Sequence, residues 1–275
     1  MPKQRSLIKI TGVADGQSFF YTKNGGYQMR AINPTMSERV KTEEAFQNTR
    51  KCSTEFSVCG ATASAILRVL LDRWRFILTP KPTGTLTASI YKYLRASSSG
   101  AWGQRTLELQ YLPYIQNEFN MLSKNEIPVF IRWWLDNNVV WDDVNDQVVI
   151  ASQLKTTADL EQEYIAKGAT GLRVNLYVLG VTTPFFSTSM GKYFPPQSKF
   201  YQIPTFPQAV DITGTQEHIL AITSQTPSEI VPQNATGQIA GMLVVFLPYK
   251  KVNGVENTLQ HLCSAYWKSL QDASE

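Results

Sequence analysis

The hydrophobic pattern changes period near residue 105, and this change most constrains the fold. Before it, apolar residues recur every three or four positions over 37–76 and 85–96, which predicts two amphipathic helices. After it, apolar and polar residues alternate in short segments, which predicts strands. We therefore expect an α+β protein, with an N-terminal hairpin and helical domain over 1–104. An antiparallel β-sandwich of immunoglobulin-like type is expected over 105–275.

Eight strands are predicted in the second domain, separated by turn residues such as Asp, Asn and Gly. They are expected near 105–112, 128–134, 138–142, 147–152, 172–180, 217–224, 238–248 and 260–269. A short helix is predicted at 157–166. Residues 182–216 are rich in Pro, Phe and Tyr, and are predicted to form a long loop that carries function or makes contacts.

The N-terminal residues predict a β-hairpin over 6–30, because Asp15-Gly16 is a strong signal for a two-residue turn. A short hairpin is marginally stable alone, so its apolar face needs a helix or an adjacent subunit to cover it. We expect Ile8, Ile10, Phe20 and Tyr27 to share that face. The candidate assembly residues are Ile8, Ile10, Phe19, Phe20, Tyr21, Tyr27 and Arg30.

The net charge of +4 is unevenly distributed along the chain. Residues 1–112 hold 16 Lys and Arg against 7 Asp and Glu, whereas residues 113–275 hold 10 against 15, giving net charges of +9 and −5. Such asymmetry favours a nucleic-acid or membrane face on the basic half, or head-to-tail contact between copies. Solvated Lys and Arg side chains that keep the helices soluble explain it equally well. The candidate nucleic-acid residues on the first predicted helix are Arg50, Lys51, Arg68, Arg73 and Arg75.

The chain lacks the sequence motifs of phosphate loops, dinucleotide folds, zinc sites and metalloproteases. Only His218 and His261 could serve as a catalytic base, and His261 could pair with Cys263 if both lie on one strand face. Ordinary sheet residues are the favoured interpretation, so we predict no catalytic residue, no cofactor and no metal. The aspartates at 136, 142, 143 and 146 are interpreted as turn formers rather than calcium ligands.

The three cysteines are predicted to be free thiols in a reducing compartment. Cys52 and Cys59 lie seven residues apart on a predicted helix, about 10 Å along its axis, which is too far for a disulfide. With Phe56 they share one helical face, which is expected to be buried. With no Sec-type signal and no apolar run of 18 residues, we expect no membrane partner. The expected location is cytoplasmic, or a released assembled particle.

Several sequence blocks together resemble the signature of an uncharacterised family of Bacteroidota proteins. They are Ser6-Leu-Ile-Lys-Ile, Ser18-Phe-Phe-Tyr, Gly25-Gly26-Tyr27 with Arg30, the stretch from Val40 to Glu55-Phe56, Ala101-Trp-Gly103-Gln104-Arg105, and Val252-Asn253-Gly254. The resemblance implies a hairpin, then helices, then a β-domain. It implies no activity, so no catalytic residue is carried over.

These observations predict a non-enzymatic structural protein whose partner is itself. It would assemble into a filament, a sheath or a phage-like particle through head-to-tail contacts between the basic and acidic halves. The alternative is a nucleic-acid-associated protein that uses the basic N-terminal helices. A cytosolic hydrolase using His261 and Cys263 is the third and least favoured function.

Overall fold

The computed structural model describes residues 11–127, 129–142, 147–150, 154–155, 164–193, 198–202, 208–211, 219–220 and 238–269. The chain forms two compact units, Met1–Cys52 and Ser53–Glu275. Helices are combined with antiparallel sheets, which confirms the predicted α+β class. The domain division at residue 104 stays a prediction, although helices and sheet share one core within the second unit.

The described helices are α1 (Met36–Thr42), α2 (Gln47–Arg73), α3 (Pro82–Ala96), α4 (Leu112–Asn120) and α5 (Val129–Asn138). Single 3-10 turns lie at Glu44–Phe46, Arg75–Ile77, Leu109–Tyr111 and Gln260–Leu262. The single helix predicted over 37–76 is instead two helices, α1 and α2. Glu43 adopts an extended backbone conformation (ψ 139°), which ends α1.

The described strands of the first unit are β1 (Gly12–Ala14), β2 (Gln17–Thr22) and β3 (Gly26–Ala31). Those of the second unit are β4 (Val139–Asp142), β5 (Gln147–Ile150), β6 (Leu154–Lys155), β7 (Gly171–Thr182), β8 (Phe186–Ser187), β9 (Lys192–Tyr193), β10 (Ser198–Gln202), β11 (Gln208–Asp211), β12 (Ile219–Leu220), β13 (Gln238–Val252), β14 (Val255–Thr258) and β15 (Ser264–Ser269).

The first unit contains the predicted hairpin as part of a three-stranded sheet in the order β1-β2-β3. Asp15 and Gly16 both have positive φ, 49° and 68°, as a two-residue hairpin turn matching the strand twist requires. Asn253 and Gly254 do the same between β13 and β14. The turn chemistry in the sequence is therefore confirmed at both hairpins.

Helix α2 places one stripe of side chains in the core of the second unit. The buried residues are Glu55, Val58, Cys59, Thr62, Ala63, Ile66, Leu67 and Leu70. Phe56, expected on this face, is instead 50% exposed and stands edge-on to Tyr91 of α3, with ring centroids 5.4 Å apart. It follows Glu55 by one residue, about 100° around the helix from the stripe, so the expectation is wrong.

The core of the second unit lies between the helices α2, α3 and α4 and one face of the large sheet. Helical residues such as Ile66, Leu86 and Ile115 meet sheet residues such as Leu179 and Leu243 there. The sheet has the order β10-β7-β13-β14, with β11 also on β7 and β15 also on β13.

The opposite face of the large sheet is also buried, at Leu172, Val174, Val244 and Phe246 among others. Tyr164 covers part of it, with its ring 5.5 Å from that of Phe246. Strands buried on both faces read as near-continuous apolar runs, which is the pattern of 238–248 in the sequence.

Two predicted strands are helical. In 105–112, residues 105–108 are irregular, a 3-10 turn follows and α4 begins at Leu112, with Pro113 in its first turn where proline is tolerated. The β-rich segment 128–134 lies largely within α5, which begins at Val129, so the strand predicted there is wrong. The β-propensity of its residues is a weak, context-dependent preference. The described parts of 182–216 contain short strands rather than one loop, because β10 and β11 pair with β7.

Among the described residues, the helical stretch Glu44–Arg73 has the length and the apolar composition that would allow a helix to cross a membrane. Its most apolar window has a mean hydropathy of 1.3, and 44% of that window is buried inside the protein. Composition alone therefore did not exclude a spanning segment. The burial of its stripe against the sheet is typical of a core helix in a folded unit.

Candidate functional site

The first candidate surface is an aromatic face of the three-stranded sheet, formed by Phe19, Tyr21, Tyr27 and Met29. Phe19 lies opposite Met29, and Tyr21 lies opposite Tyr27, so all four side chains share one face. The rings of Tyr21 and Tyr27 are 5.1 Å apart in an edge arrangement, and these residues are 60% and 36% exposed.

The two other described assembly candidates lie on the reverse face. Phe20 pairs with Gln28, and the Arg30 guanidinium stands over the Phe20 ring at 5.7 Å. The expectation that Phe20 and Tyr27 share a face is therefore wrong, because neighbouring positions on paired strands alternate. Ile8 and Ile10 lie outside the described residues.

No side chain of residues 11–52, the described part of the first unit, is buried. The sheet and α1 therefore lack a core of their own there, although the sheet carries one distinctly apolar face. Three strands gain stability from an apolar face only when that face is removed from water, and in residues 11–52 it is not.

The candidate nucleic-acid residues do not form one free basic face. Arg50 Nη1 donates to the backbone oxygens of Val40 and Glu43, at 2.7 and 2.8 Å. Arg68 Nε lies 4.0 Å from Asp72 Oδ2. Arg73 follows Arg68 by five residues, about 140° around α2.

Lys51 is half-buried and Arg75 is exposed in the 3-10 turn after α2. The nucleic-acid alternative stays a prediction.

A second candidate centre is Glu55, a carboxylate with 0% exposure in the stripe of α2. Its Oε1 accepts from the Gly103 backbone N–H at 2.8 Å, and its Oε2 lies 3.3 Å from Arg105 Nη1. Arg105 is 20% exposed, so this ion pair is largely shielded from water. The contact joins two of the sequence blocks that carry the Bacteroidota resemblance, which reasoning along the chain did not bring together.

One signal in the sequence could have found Glu55. It precedes Cys59 and Thr62 by four and seven residues, so it occupies a core position of the stripe. A charged residue at such a position is expected only with a partner.

Buried neighbours surround the Glu55 carboxylate. Burial, with a smaller contribution from the Glu55 charge, raises the pKa of the Cys59 thiol to about 12. Burial and then Glu55 also raise the pKa of Tyr193 above its usual range. The Tyr193 hydroxyl has no hydrogen-bond partner of ordinary geometry among the described residues. The net effect at Cys59 and Tyr193 favours their neutral forms, although Arg105 acts in the opposite direction on Tyr193. The contacts of Glu55 with Gly103 and Arg105 anchor the loop that contains them.

The loop that Glu55 anchors is held rigidly by a second carboxylate. Glu108 Oε1 accepts from the backbone N–H groups of Ser98 and Ser99, at 2.7 and 3.1 Å, and from the Ser98 hydroxyl. The Ser98 hydroxyl in particular holds the Glu108 pKa below its usual value. The loop presents Trp102, 40% exposed, close to its anchor at Gly103.

The hypothetical catalytic pair is not assembled. His261 is exposed in a 3-10 turn, whereas Cys263 is buried at the end of that turn and its Sγ donates to the Leu259 oxygen at 3.3 Å. His261 lines an open surface pocket of about 310 Å³ with Phe76, Lys124, Asn125 and Gln260. The expectation that His261 and Cys263 share a strand face is wrong, because the strand begins only at Ser264. His218 lies outside the described residues.

The predicted turn aspartates give no metal centre within the described ranges, where no group of three His, Cys, Asp or Glu could hold an ion. Asp136 belongs to α5 and accepts from the Tyr266 hydroxyl at 3.2 Å. Asp142 ends β4, whereas residues 143 and 146 lie outside the description.

The three thiols are expected to differ sharply in reactivity. Cys59 and Cys263 are fully buried, and burial raises the pKa of each to about 12, so few thiolates form at pH 8. Cys52 is half-buried. Titration of the native protein with a chromogenic disulfide at pH 8 should show one fast thiol, with two more only in denaturant. Three equally fast thiols would contradict this burial.

The same shifts give stability a pH dependence. Thiols of the unfolded chain ionise near pH 9, whereas Cys59 and Cys263 stay neutral until about pH 12. Folding favours the neutral thiols. Their contribution to the free energy of unfolding is therefore fully present below pH 9, and it is lost as the pH rises from 9 to 12. Urea midpoints should fall across this window, and by less in Cys263→Ala than in the wild type.

No family model, curated protein or solved structure matches this chain. The Bacteroidota resemblance therefore stays a prediction.

Proposed function

We propose that the protein is a non-enzymatic structural protein that self-assembles into a filament, a sheath or a phage-like particle. The observation that carries the proposal is the aromatic face of the first unit, in a segment without buried residues from 11 to 52. A second copy is the partner that would cover it. Its site of action is the cytoplasm or the released particle.

Charge supports contact between unlike ends of two copies. The first unit, Met1–Cys52, holds nine Lys and Arg against four Asp and Glu, whereas residues 113–275 carry a net charge of −5. Opposite patches steer encounter and fix register. Tyrosine anchors at the centre of such a contact supply most of the affinity, because they bury a large area at little entropic cost.

The finer fold prediction, an immunoglobulin-like sandwich, belongs with this proposal. It is supported by the burial of the sheet face that lies opposite the helices, and by the additional two-stranded sheets β4-β5, β6-β12 and β8-β9.

Replacing both Tyr21 and Tyr27 with Ser is expected to raise the protein concentration needed for assembly by about 10²–10³-fold, because hot-spot aromatics contribute about 2 kcal/mol each. Light scattering after size exclusion measures the mass, and negative-stain microscopy shows its form. Tyr114→Ser is the matched control, since Tyr114 is an exposed tyrosine of α4.

Salt provides a second readout of the same contact. Raising ionic strength from about 0.1 M to about 1 M shortens the screening length from about 10 Å to about 3 Å, so the assembly should shrink. A wild-type protein that remains monomeric at low salt and high concentration would refute the proposed function.

A further inference from the structure

The solvent side of α3 combines two cations with aromatic rings. The opposite side of this helix is buried in the core. At about 100° per residue, Tyr91 and Tyr93 lie about 200° apart, at the two borders of the exposed face. Lys92 and Arg95 are exposed between them. We call these four residues, together with Phe56 of α2, the α3 platform.

Phe56 is the most open ring of the α3 platform. It is 50% exposed, although phenylalanine is among the residues most often buried. Its ring stands edge-on to that of Tyr91, with centroids 5.4 Å apart and planes at 85°. Half of Phe56 is thus in contact with water, and a flat aromatic group of a ligand can stack there.

The cations of the α3 platform lie beside rings rather than beside carboxylates. Lys92 Nζ lies 5.2 Å from the centroid of the Tyr93 ring, which is itself stacked on Tyr111. The Arg95 guanidinium lies 5.9 Å from the centroid of the Tyr91 ring. Neither cation has a carboxylate partner among the described residues, so both charges are available to an anionic ligand.

The two helices that form the α3 platform add no competing negative charge near it. α3 contains no Asp or Glu. The acidic residues of α2 are Glu55, which is buried and paired with Arg105, and Asp72, which lies beside Arg68 in the last turn. The charge of this surface therefore favours an anion.

We infer that the α3 platform binds single-stranded nucleic acid, with a base stacked on Phe56 and backbone phosphates beside Lys92 and Arg95. Aromatic rings combined with cations bind single strands without sequence preference, because every base has a π-face. In a duplex the faces of the bases are already stacked on one another, and an acidic peptide would leave the open ring unused.

The α3 platform belongs to the second unit, whereas the proposed assembly face belongs to the first. The inference therefore does not depend on the proposed function. None of the basic residues that the sequence predicted to bind nucleic acid is a member of the α3 platform.

Fluorescence anisotropy of a labelled oligothymidylate of about 15 nucleotides tests the stacking contact in the full chain. Phe56→Leu keeps an apolar side chain but loses the ring, so the dissociation constant should rise at least about fivefold. Phe56→Tyr keeps the ring and should bind as the wild type does. Circular dichroism checks that each variant is folded.

The salt dependence of the same binding tests the two cations. Lys92→Gln combined with Arg95→Gln should reduce the slope of log K against log salt by about 1.4, since each phosphate contact on a single strand contributes about 0.7. Lys250→Gln combined with Lys251→Gln removes the same charge from exposed positions of β13 and should leave the slope unchanged.

A wild-type protein that does not bind oligothymidylate at about 50 mM salt would overturn the inference. So would Phe56→Leu that binds as tightly as the wild type, or polyglutamate or duplex DNA that competes as well as unlabelled oligothymidylate. If Phe56→Leu is unfolded, the change in salt slope decides. A wild type that binds the oligonucleotide as a monomer refutes the proposed function alone, and one that assembles without binding it overturns this inference alone.

Discussion

Replacing Glu55 with Ala should lower the free energy of unfolding by about 3 kcal/mol, because it leaves Arg105 largely buried without its carboxylate. The Gly103 N–H also loses its acceptor. Glu55→Gln retains an oxygen that can accept from Gly103 and removes only the charge, so its cost should be about half as large. Urea unfolding followed by circular dichroism measures both.

The control for this prediction is Glu126→Ala, an exposed carboxylate whose removal should change stability by less than about 0.5 kcal/mol. The loop at 97–108 should become a protease-sensitive site in Glu55→Ala, because Glu55 is one of its two carboxylate anchors. If Glu55→Ala unfolds at the wild-type urea midpoint, the ion pair contributes nothing to the fold.

The second large effect is expected where β13 meets the ring of Trp267. A Cβ added at Gly241 would lie 2.0 Å from Trp267 Nε1, and the indole is fully buried edge-on to Phe119. Trp267→Ala should cost about 3–5 kcal/mol through the cavity that it leaves. Gly241→Ala should cost about 1–3 kcal/mol by overpacking.

A double-mutant cycle tests this contact directly. In the Trp267→Ala background the new Cβ of Gly241→Ala has space, so the second substitution should cost far less than it does in the wild type. Gly84→Ala in α3 is the matched control, because nothing lies within 4 Å of its added Cβ. It should leave stability unchanged or raise it by up to about 1 kcal/mol. Strict additivity in the cycle would contradict the observed packing.

The sequence predicted those parts of the fold that depend on local chemistry. The Asp15-Gly16 and Asn253-Gly254 turns follow from the backbone freedom of their residues. The helix α3 follows from its apolar period, and the strand β13 follows from its near-continuous apolar run. Prediction failed at α5, where β-branched and aromatic residues form a helix, because their β-propensity is only a weak, context-dependent preference.

The candidate sites were less predictable, because they depend on distant partners. Glu55 meets residues 48 and 50 positions further along the chain, and Phe56 meets Tyr91 on the next helix. No periodicity within one segment encodes such pairs. The aromatic face was only half predicted, because the pairing register decides that Phe19, and not Phe20, joins Tyr27.

The long pairing of β7 with β13 has a consequence for how the protein is made. The two strands pair over twelve positions, yet residues 183–237 separate them in the chain. At ordinary synthesis rates β7 is synthesised about 3–11 s before β13. During that interval β7 can already pair with β10 and β11, which are synthesised before β13, while its edge for β13 stays open. Folding is therefore expected to be slow at the step that adds β13, because this pairing closes a long loop.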